Sequence, residues 1–458
     1  MKRVSAIAIF DSGKTNKKLV LFNEQDKIIH EENTQLAQTA DDDGFPCEDV
    51  HTLTAWVKDS FDNVTNDPRF HIKAVNFSAY GASFVYIDDN GKPAAPLYNY
   101  LKPFPQKLQQ KFYKKYGGES AFAKEAASPV LGSLNSGMQI YRLKYEKPDL
   151  FAQIKYALHL PQYLHYILTN HPATDITSIG CHTNLWDFKK DEYHRWVNTE
   201  KIAKYFAPIL PCNSAFSFAH NDSNYISGIG LHDSSAALIP YLHTFIEPFV
   251  LISTGTWCIS FNPFNHSMLT DYELHQDCLC YLNYKAQRVK ASRLFAGNEH
   301  EQQTKRLAEH FNKPVAYYQM VKYDASVLKK SQRNSTSHEL NDEHAMVQQS
   351  SFKDRDLKKF QTYEQAYHQL MSDIMQQQVR SLKLVLQSSK VKKIFVDGGF
   401  SKNAVYMNLL AGSFPKMEVH AAAVSHASSL GAALIMHEHW NKNPLPDNLV
   451  ELKRYSVR

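Results

Sequence analysis

Apolar runs with the pattern of buried strands recur near the start, the middle and the end of the chain. They cover residues 4–10, 249–252 and 392–396. A cluster of small, hydroxyl-bearing or acidic residues follows each run at once, at 11–15, 253–256 and 397–399. Because backbone amides become free where a buried strand ends, such turns can cradle phosphate oxygens. The pattern predicts one nucleotide site divided among three turns.

The first two clusters lie in predicted hairpins. Residues 17–22 have the pattern of a return strand after the first cluster, and residues 257–261 repeat it after the second. The recurrence of this unit in each half predicts an internal duplication. Apolar residues at helical spacing predict helices over 49–61 and 160–168. We expect an α/β protein from these strands and helices. Because 458 residues are more than one hydrophobic core usually organises, we expect two lobes, at 1–245 and 246–458.

The third cluster opens a strand, turn and helix unit. Asn403 is placed to start a helix that carries Val405 and Leu409. A run of small residues at 426–433 would let a helix pack closely against its neighbours. Residues 329–342 are polar, and they predict a surface loop without chemistry.

Composition and charge exclude several classes of function. The chain is 43% hydrophobic and 21% charged, as is usual for a globular protein, and its net charge of +5 is small for its length. We therefore expect no nucleic-acid partner. Asp11 and Lys14 interrupt the first apolar run, and no other run is long enough to cross a membrane, so we expect a cytoplasmic protein. A homodimer is left open.

Cysteine and histidine usage argues against disulfides and against a dedicated metal site built from these residues. The six cysteines are scattered without a C-x-x-C pair, so we expect reduced thiols. The 22 histidines lack the clustered spacing that is typical of metal-binding motifs.

Residues 13–15 match the end of the P-loop pattern, but the rest of that pattern is absent. A P-loop requires glycine at the position of Ala8 and a helix after Lys14. The residues that follow Lys14 have the pattern of a second strand instead. The predicted phosphate site is therefore a hairpin turn.

The three clusters, together with other segments, resemble the FGGY family of carbohydrate kinases. The other segments are residues 76–102, 161–187 and 228–237, so the resemblance covers nearly the whole chain. It implies the two-lobed, actin-like and ribonuclease H-like duplicated fold of such sugar kinases, with a central cleft for ATP and sugar. It also implies that the lobes close over the substrates, since a kinase must exclude water.

The resemblance places the catalytic aspartate at Asp233. Transfer of a γ-phosphoryl group to an alcohol needs a carboxylate that accepts the hydroxyl proton. The alternative is that Asp233 caps a helix beginning at Ser234. The two roles are compatible, because a helix N-terminus also favours the ionised carboxylate.

Asp11 and the three turns form the predicted site for ATP and Mg²⁺. By the resemblance, Asp11 holds Mg²⁺ directly or through water, whereas a turn aspartate bonded to its own backbone is the alternative. For Lys14, phosphate binding and a solvated turn lysine both stay open. His426 departs from the glutamate that many relatives carry at this position. The residues predicted to contact ATP are Gly13, Lys14, Thr15, Thr254, Gly255, Thr256, Gly398, Gly399 and Asn403.

The sugar is predicted from the pair His232 and Asp233, which resembles the rhamnulokinase branch of the family. Residues 80–83 and 97–100 resemble its rhamnulokinase and fuculokinase members. In that branch the histidine contacts the sugar, although a packing histidine is also open here. The predicted sugar contacts are Gly81, Ala82, Tyr98 and His232. The resemblance implies a 6-deoxy-ketohexose, L-fuculose or L-rhamnulose, phosphorylated at its 1-hydroxyl. Xylulose, ribulose, glycerol or another polyol stays open, because Lys102 and Pro103 replace an acidic and arginine pair frequent in the family.

A non-catalytic actin-like regulator that binds sugar or ATP is the competing class of function. We expect neither a basic helix-turn-helix at the amino end nor a peptide-binding domain after the last predicted helices. Asp233 separates the two classes, because a binding module needs no catalytic base. The expected partners are therefore a small sugar and ATP.

Overall fold

The computed structural model describes residues 3–327, 351–387, 389–424 and 426–456. The chain divides into two compact units. The first unit takes in the described residues of 1–245, 280–288 and 425–449, and the second takes in those of 246–279, 289–424 and 450–458. Residues 329–342, predicted as a polar loop, lie outside the described residues.

Strands and helices alternate through most of the described chain. The strands are β1 (Val4–Ser12), β2 (Lys17–Asn23), β3 (Ile28–Thr34), β4 (Gln38–Ala40), β5 (Pro46–Glu48), β6 (Phe70–Ala79), β7 (Phe84–Ile87), β8 (Tyr156–His159), β9 (Thr174–Asp175), β10 (Trp186–Asp187), β11 (Glu192–Tyr193), β12 (Ile209–Leu210), β13 (Ala215–His220), β14 (Ser223–Gly228), β15 (Leu231–His232), β16 (Phe249–Thr254), β17 (Cys258–Asn262), β18 (Cys278–Leu282), β19 (Arg288–Leu294), β20 (Lys393–Gly398), β21 (Glu418–Ala423) and β22 (Glu451–Tyr455). The helices are α1 (Val50–Asn66), α2 (Gln106–Lys115), α3 (Glu119–Glu125), α4 (Ser136–Glu146), α5 (Pro148–Ala152), α6 (Leu160–Thr169), α7 (Ile176–Ile179), α8 (Arg195–Thr199), α9 (Asp233–Thr244), α10 (Asp271–His275), α11 (Ala296–His310), α12 (Tyr363–Leu386), α13 (Ala404–Ser413), α14 (Ala427–Leu434) and α15 (His437–Trp440). Within the described ranges, no helix is both long and apolar enough to cross a bilayer.

The predicted elements around the three clusters are present, with small shifts at their ends. β17 begins at Cys258, so Trp257 belongs to the turn before it. α1 begins after Asp49, whose side chain accepts a hydrogen bond from the backbone N–H of His51 and so caps the helix. The same helix continues past the predicted end because Val64 extends its buried face.

The first unit is built on a seven-stranded sheet. Its strand order is β13-β14-β6-β1-β2-β3, and β15 pairs with the end of β6. β1 runs antiparallel to β2 and parallel to β6. Ala8 and Phe10 of β1 join Phe61 of α1 in the core, and burial of one such phenylalanine contributes about 1.5–3 kcal/mol. This packing fixes the end of β1, where Asp11 lies.

A second core in the first unit is rich in aromatic residues. Phe112 of α2 meets Tyr141 of α4 and Trp196 of α8 edge-on, with ring centroids 4.9 and 5.2 Å apart. Aromatic pairs in this geometry add about 0.5–1.5 kcal/mol beyond their buried area. The cluster holds α4 in place, and α4 carries Gln139 to the turn after β6.

The second unit repeats the core arrangement of the first. Its sheet has the order β18-β19-β17-β16-β20-β21-β22. β16 runs antiparallel to β17 and parallel to β20, just as β1 pairs with β2 and β6. The shared hairpin with a parallel neighbour supports the predicted duplication, and the two sheets with their helices confirm the α/β class.

The small-residue helix α14 lies in the first unit and packs closely against α9, and close packing is what its composition predicts. A Cβ on Gly431 would lie 1.9 Å from the carbonyl oxygen of Ala236 in α9, so the two helices approach too closely for any side chain there. The carbonyl of Ala432 accepts a hydrogen bond from Asn76 Nδ2 at 2.8 Å. These contacts bring the start of α14 to the end of β1.

Candidate active site

Asp11 is the last residue but one of β1, at the turn that was predicted to bind phosphate. Its Oδ2 accepts hydrogen bonds from the hydroxyls of Ser428 and Ser429, at 2.6 and 2.8 Å. Burial raises the pKa of the Asp11 carboxyl, the two hydroxyls lower it, and the charge of Asp233 raises it further. The Asp11 carboxylate is therefore held by hydrogen bonds from α14, and its pKa is affected by the charge of Asp233. The alternative was a carboxylate bonded to the backbone of its own turn.

Asp233 is the first residue of α9, and His232 occupies the N-cap position before it. The carboxylate Oδ1 accepts hydrogen bonds from the backbone N–H and the hydroxyl of Ser234, at 2.5 and 3.2 Å. Burial raises the pKa of Asp233 to about 6, although these hydrogen bonds lower it. The side chain is 31% exposed, so a substrate can reach it. Such a carboxylate is still ionised at pH 7 and is a stronger base than an ordinary aspartate.

His232 is enclosed by side chains beside Asp233. Its Nε2 lies 3.1 Å from Cys181 Sγ and 3.2 Å from Asp233 Oδ1, and its ring stacks on Tyr281. Burial lowers the pKa of His232 to about 4, so the ring is neutral at pH 7. Its Nδ1 is buried and has no hydrogen-bond partner among the described residues. Few buried polar atoms in folded proteins lack a partner.

The turn after β6 approaches His232 so closely that only glycine fits at residue 81. A Cβ on Gly81 would lie 2.8 Å from Cys181 Sγ and 3.0 Å from the His232 ring. Ala82 has a φ of +63°, which is uncommon for a residue with a side chain. The carbonyl of Ala82 accepts a hydrogen bond from Gln139 Nε2 at 2.7 Å, which holds this conformation. Gly81 and His232, predicted as sugar contacts, are thus neighbours.

Tyr98 and Tyr100 lie in the loop between β7 and α2, and their side chains contact different residues. The Tyr98 hydroxyl donates to Asp42 Oδ2 at 2.9 Å, and the Lys102 ammonium lies 5.2 Å from the centre of its ring. Burial and then the charge of Asp233 raise the pKa of Tyr100 to about 12. Tyr100 was not among the predicted sugar contacts, but it is close enough to Asp233 for the charge of that carboxylate to affect its pKa.

Lys14 lies at the tip of the first hairpin, and its ammonium faces aromatic rings. Nζ is 5.0 and 5.1 Å from the ring centres of Tyr80 and Tyr100, and 3.7 Å from Glu48 Oε1. Lys17 lies 3.0 Å from the other oxygen of Glu48. Burial lowers the pKa of Lys14, although Glu48 raises it. Phosphate binding by Lys14 stays a prediction, as it does for the neighbouring Gly13 and the exposed Thr15.

In the second unit, Thr254 joins the turns of the second and third clusters. Its hydroxyl donates to the carbonyl of Asp397 and accepts from the backbone N–H of Phe400 at 2.9 Å. Gly398 has a φ of +85°, and a Cβ on it would lie 2.0 Å from the Thr254 carbonyl oxygen. Gly398, predicted as an ATP contact, is therefore a glycine for a steric reason, since its backbone lies against that of Thr254.

Asn403 caps α13, as the sequence predicts. Its Oδ1 accepts a hydrogen bond from the backbone N–H of Tyr406 at 3.1 Å, and its Nδ2 donates to the Tyr367 hydroxyl at 2.6 Å. The Gly398 and Gly399 turn leads into this helix through one short 3₁₀ turn. The residues predicted to contact adenosine are thus adjacent.

The turn at Gly255 and Thr256 is closed by the start of α11. A Cβ on Gly297 would lie 1.8 Å from the carbonyl oxygen of Gly255. The backbone N–H of Asn298 donates to the carbonyl oxygen of Thr256 at 3.1 Å. Sequence reasoning missed Gly297, although a glycine just after a strand and just inside a helix was a usable signal.

The surroundings of Asp11 fit a magnesium ion that keeps most of its own water. Both serine hydroxyls donate to Oδ2 of the carboxylate, so Oδ1 is the oxygen that would face an ion. Mg²⁺ is usually held by one or two carboxylates together with phosphate oxygens. Elsewhere in the described ranges, Asp41 and Asp43 are neutralised by Lys102. Asp11 is accordingly a better candidate for the metal than Asp41 and Asp43.

Three residues near His232 and Asp11 had no signal in the sequence. Tyr281 and Cys181 contact the His232 ring, and Ser429 binds Asp11 from α14. Each lies in a segment far along the chain from its partner. The small residues at 426–433 were predicted to allow close helix packing, and hydrogen bonds from their serine hydroxyls were not predicted.

Several carbohydrate kinases are similar to this chain in sequence or in fold. A rhamnulokinase from Halalkalibacterium halodurans is 23% identical over 181 residues, which is 38% of this chain and 36% of that protein. A carbohydrate kinase structure from Novosphingobium aromaticivorans covers 100% of this chain and 95% of its own, with a TM-score of 0.78 and 21% identity. A ligand-bound xylulose kinase structure from Lactobacillus acidophilus covers 99% of this chain and 94% of its own, with a TM-score of 0.78 and 14% identity. The two structures support the actin-like two-domain fold.

Two family models match most of the chain between them. The N-terminal domain of the FGGY family of carbohydrate kinases matches residues 6–208. The C-terminal domain of carbohydrate kinase FGGY matches residues 246–444. This chain belongs to the FGGY family of carbohydrate kinases, which are phosphotransferases with an alcohol group as acceptor.

Proposed function

We propose that this chain transfers the γ-phosphoryl group of ATP to a hydroxyl of a ketose. The observation that carries the proposal is the partly exposed carboxylate of Asp233, whose pKa is raised by burial to about 6. Neutral His232 lies directly beside it. Membership of a carbohydrate kinase family supports the class of reaction.

Asp233 acts as the general base in the proposed reaction. The sugar hydroxyl oxygen attacks the γ-phosphorus as its proton passes to the carboxylate of Asp233. The bond from that oxygen to phosphorus forms, the bond from the γ-phosphorus to the bridging oxygen breaks, and ADP leaves. Asp233 then returns its proton to solvent. His232 is the proposed sugar contact beside the base, with its Nε2 3.2 Å from Asp233 Oδ1.

Asp11 is the proposed residue for Mg²⁺, held in place by Ser428 and Ser429. When bound, Mg²⁺ supplies positive charge that neutralises the phosphate oxygens. The backbone amides of the turn at Gly13 and Thr15 are proposed phosphate contacts in the first unit. In the second unit, the proposed ATP contacts are Thr254, Gly255, Thr256, Gly398, Gly399 and Asn403.

The proposed substrate is a 6-deoxy-ketohexose, L-rhamnulose or L-fuculose, phosphorylated at its 1-hydroxyl. The adjacent His232 and Asp233 support it, as do relatives of similar sequence that carry the name rhamnulokinase. Sugar contacts are proposed for Gly81, Ala82 and Tyr98, of which Gly81 lies against the His232 ring. Xylulose, ribulose or a polyol is the alternative, and a protein of similar fold is named xylulose kinase.

The test is sugar-dependent formation of ADP with Mg-ATP over a panel of sugars. The panel holds L-rhamnulose, L-fuculose, D-ribulose, D- and L-xylulose, glycerol and several aldoses. Turnover that is highest with a 6-deoxy-ketohexose is the expected result, and a sugar 1-phosphate should appear in the ³¹P spectrum. Bound ATP without turnover on any sugar would contradict the kinase and favour a non-catalytic regulator.

A further inference from the structure

The ammonium of Lys14 is placed to donate hydrogen bonds to a ligand. Its ion-pair partner Glu48 is 3.7 Å away, beyond hydrogen-bond distance. Lys17 lies closer to Glu48, at 3.0 Å, and also donates to the carbonyl of Gly13 at 2.6 Å. Glu48 is therefore mainly neutralised by Lys17. An ammonium carries three donor protons and no acceptor, so Lys14 is equipped to bind an oxygen that enters from solvent.

Two aromatic rings hold Lys14 in this position. The ring centres of Tyr80 and Tyr100 lie 5.0 and 5.1 Å from Nζ, within the range of cation–π attraction. The two rings also contact each other edge-on, with centroids 5.8 Å apart. The two rings thus hold the partly buried ammonium by cation–π attraction, which does not use its N–H donors in conventional hydrogen bonds.

The same two tyrosines connect Lys14 with the sugar side of the proposed site. Tyr80 directly precedes Gly81, whose missing side chain leaves room for the His232 ring. Tyr100 is close enough to Asp233 for the charge of that carboxylate to raise its pKa. Lys14 therefore contacts two tyrosines that lie beside residues proposed to hold the sugar.

We propose that Lys14, which the sequence predicted as an ATP contact, is instead a sugar-binding residue that donates to an oxygen able only to accept a hydrogen bond. Such an oxygen is the carbonyl of an open-chain ketose or the carboxylate of a sugar acid. A hydroxyl also accepts, but its own proton then needs an acceptor that Lys14 lacks. The positive charge of the Lys14 ammonium favours either kind of oxygen over a hydroxyl. The inference rests on the proposed kinase function for its substrate class.

The test compares Lys14→Met with the matched control Lys27→Met, which removes the same charge from an exposed turn. Both variants are first compared with the parent chain by thermal unfolding. KM and kcat are then measured for the best ketose, for the polyol made by reducing its carbonyl, and for the matching aldonate. Lys14→Met should lower kcat/KM for the ketose or the aldonate about tenfold, with less than a threefold effect on the polyol and on the KM for ATP. Lys27→Met should change none of these values.

The two sources of the acceptor oxygen are separated by which substrate loses more. A larger loss with the ketose identifies the carbonyl, and a larger loss with the aldonate identifies the carboxylate. A raised KM for ATP with an unchanged KM for sugar would overturn the proposal and place Lys14 at the phosphates. Equal losses on ketose, aldonate and polyol would also overturn it, because the preference for an acceptor oxygen would be absent.

A binding measurement separates failure of this inference from failure of the proposed function. If the parent chain turns over no sugar, the kinase proposal fails, and the same ketose, polyol and aldonate are titrated calorimetrically without ATP. Tighter binding of the ketose or aldonate to the parent chain than to Lys14→Met would support Lys14 as a sugar-binding residue even then. Equal binding to both, or no binding to either, would overturn it.

Discussion

The imidazole of His232 stacks on the phenol ring of Tyr281, with ring centroids 5.5 Å apart and an interplanar angle of 10°. Tyr281 belongs to segment 280–288, which packs in the first unit although it comes after β16 and β17 in the chain. Leu282 anchors this segment, because its backbone N–H donates to the carbonyl of Gly180 at 3.0 Å. The stack fixes the plane of the histidine that is proposed to contact the sugar.

Replacing Tyr281 with leucine should weaken sugar binding and leave ATP binding unchanged. Loss of a stacked aromatic pair costs about 0.5–1.5 kcal/mol, which corresponds to a rise in the KM for sugar of up to about tenfold. Tyr284→Leu in the same segment is the control, because Tyr284 makes no ring contact with His232 in the described structure. Steady-state kinetics with each substrate varied in turn is the measurement. Equal effects of the two variants would argue against a positioning role for Tyr281.

Gly81→Ala should damage the site through steric pressure on His232. The added Cβ would meet Cys181 Sγ at 2.8 Å and the His232 ring at 3.0 Å, so the ring must move. We expect kcat/KM for the sugar to fall at least about tenfold. Gly412→Ala in α13 is the matched control, because nothing lies within 4 Å of its Cβ position. The control should keep full activity and gain up to about 1 kcal/mol of stability. Full activity in Gly81→Ala would contradict the assigned geometry.

The rate of phosphoryl transfer should rise with pH through about 6. The base must be ionised, and burial raises the pKa of Asp233 to about 6. His232 is neutral over the same range, because its pKa is lowered to about 4, so it contributes no second step there. A profile of kcat/KM against pH, taken with saturating Mg-ATP, locates the midpoint. A midpoint near 4 would show that Asp233 has an ordinary acidity.

The same carboxyl should make the stability of the folded chain depend on pH. Its pKa is higher in the folded chain, at about 6, than its ordinary value of 3.8. Its contribution to stability is therefore complete below the ordinary value and is lost as pH rises through the folded pKa. Asp233→Asn cannot ionise, so its melting temperature should exceed that of the parent chain at pH 8 and match it near pH 4. A difference that does not change with pH would contradict the burial of this charge.

Removal of the Asp11 carboxylate should raise the concentration of Mg²⁺ needed for activity. Asp11→Asn keeps the shape of the side chain and removes the charge proposed to hold the ion. Ser429→Ala, which removes one hydrogen bond of 2.8 Å to that carboxylate, should cause a smaller shift in the same direction. Activity measured against Mg²⁺ at fixed ATP tests both. An unchanged Mg²⁺ dependence in Asp11→Asn would exclude Asp11 as the metal residue.

The parts of this fold that follow from short-range patterns were predictable from the sequence. The strand-like runs gave β1, β16 and β20, and Asn403 was identified as a helix cap because cap chemistry is local. The duplication was also visible, since each half repeats one hairpin. These features depend on neighbours within a few residues, which a sequence displays directly.

The contacts that shape the site depend on distant partners and were not predictable in this way. Ser428 binds Asp11 across 417 positions of the chain, and Tyr281 reaches His232 from a segment with no motif. The direction of Lys14 depends on the placement of Tyr80 and Tyr100 rather than on its own neighbours. A run of small residues predicts close packing, but it does not show which carboxylate its serines will meet.

The most direct test of the account compares sugar-dependent ADP formation by the parent chain and by Asp233→Asn, with ATP binding titrated for both. The account predicts a sugar phosphate product from the parent chain and a fall in kcat of at least about 100-fold in the variant. The affinity for ATP should be the same in both. An active parent chain with an equally active variant would contradict the assignment of Asp233 as the base.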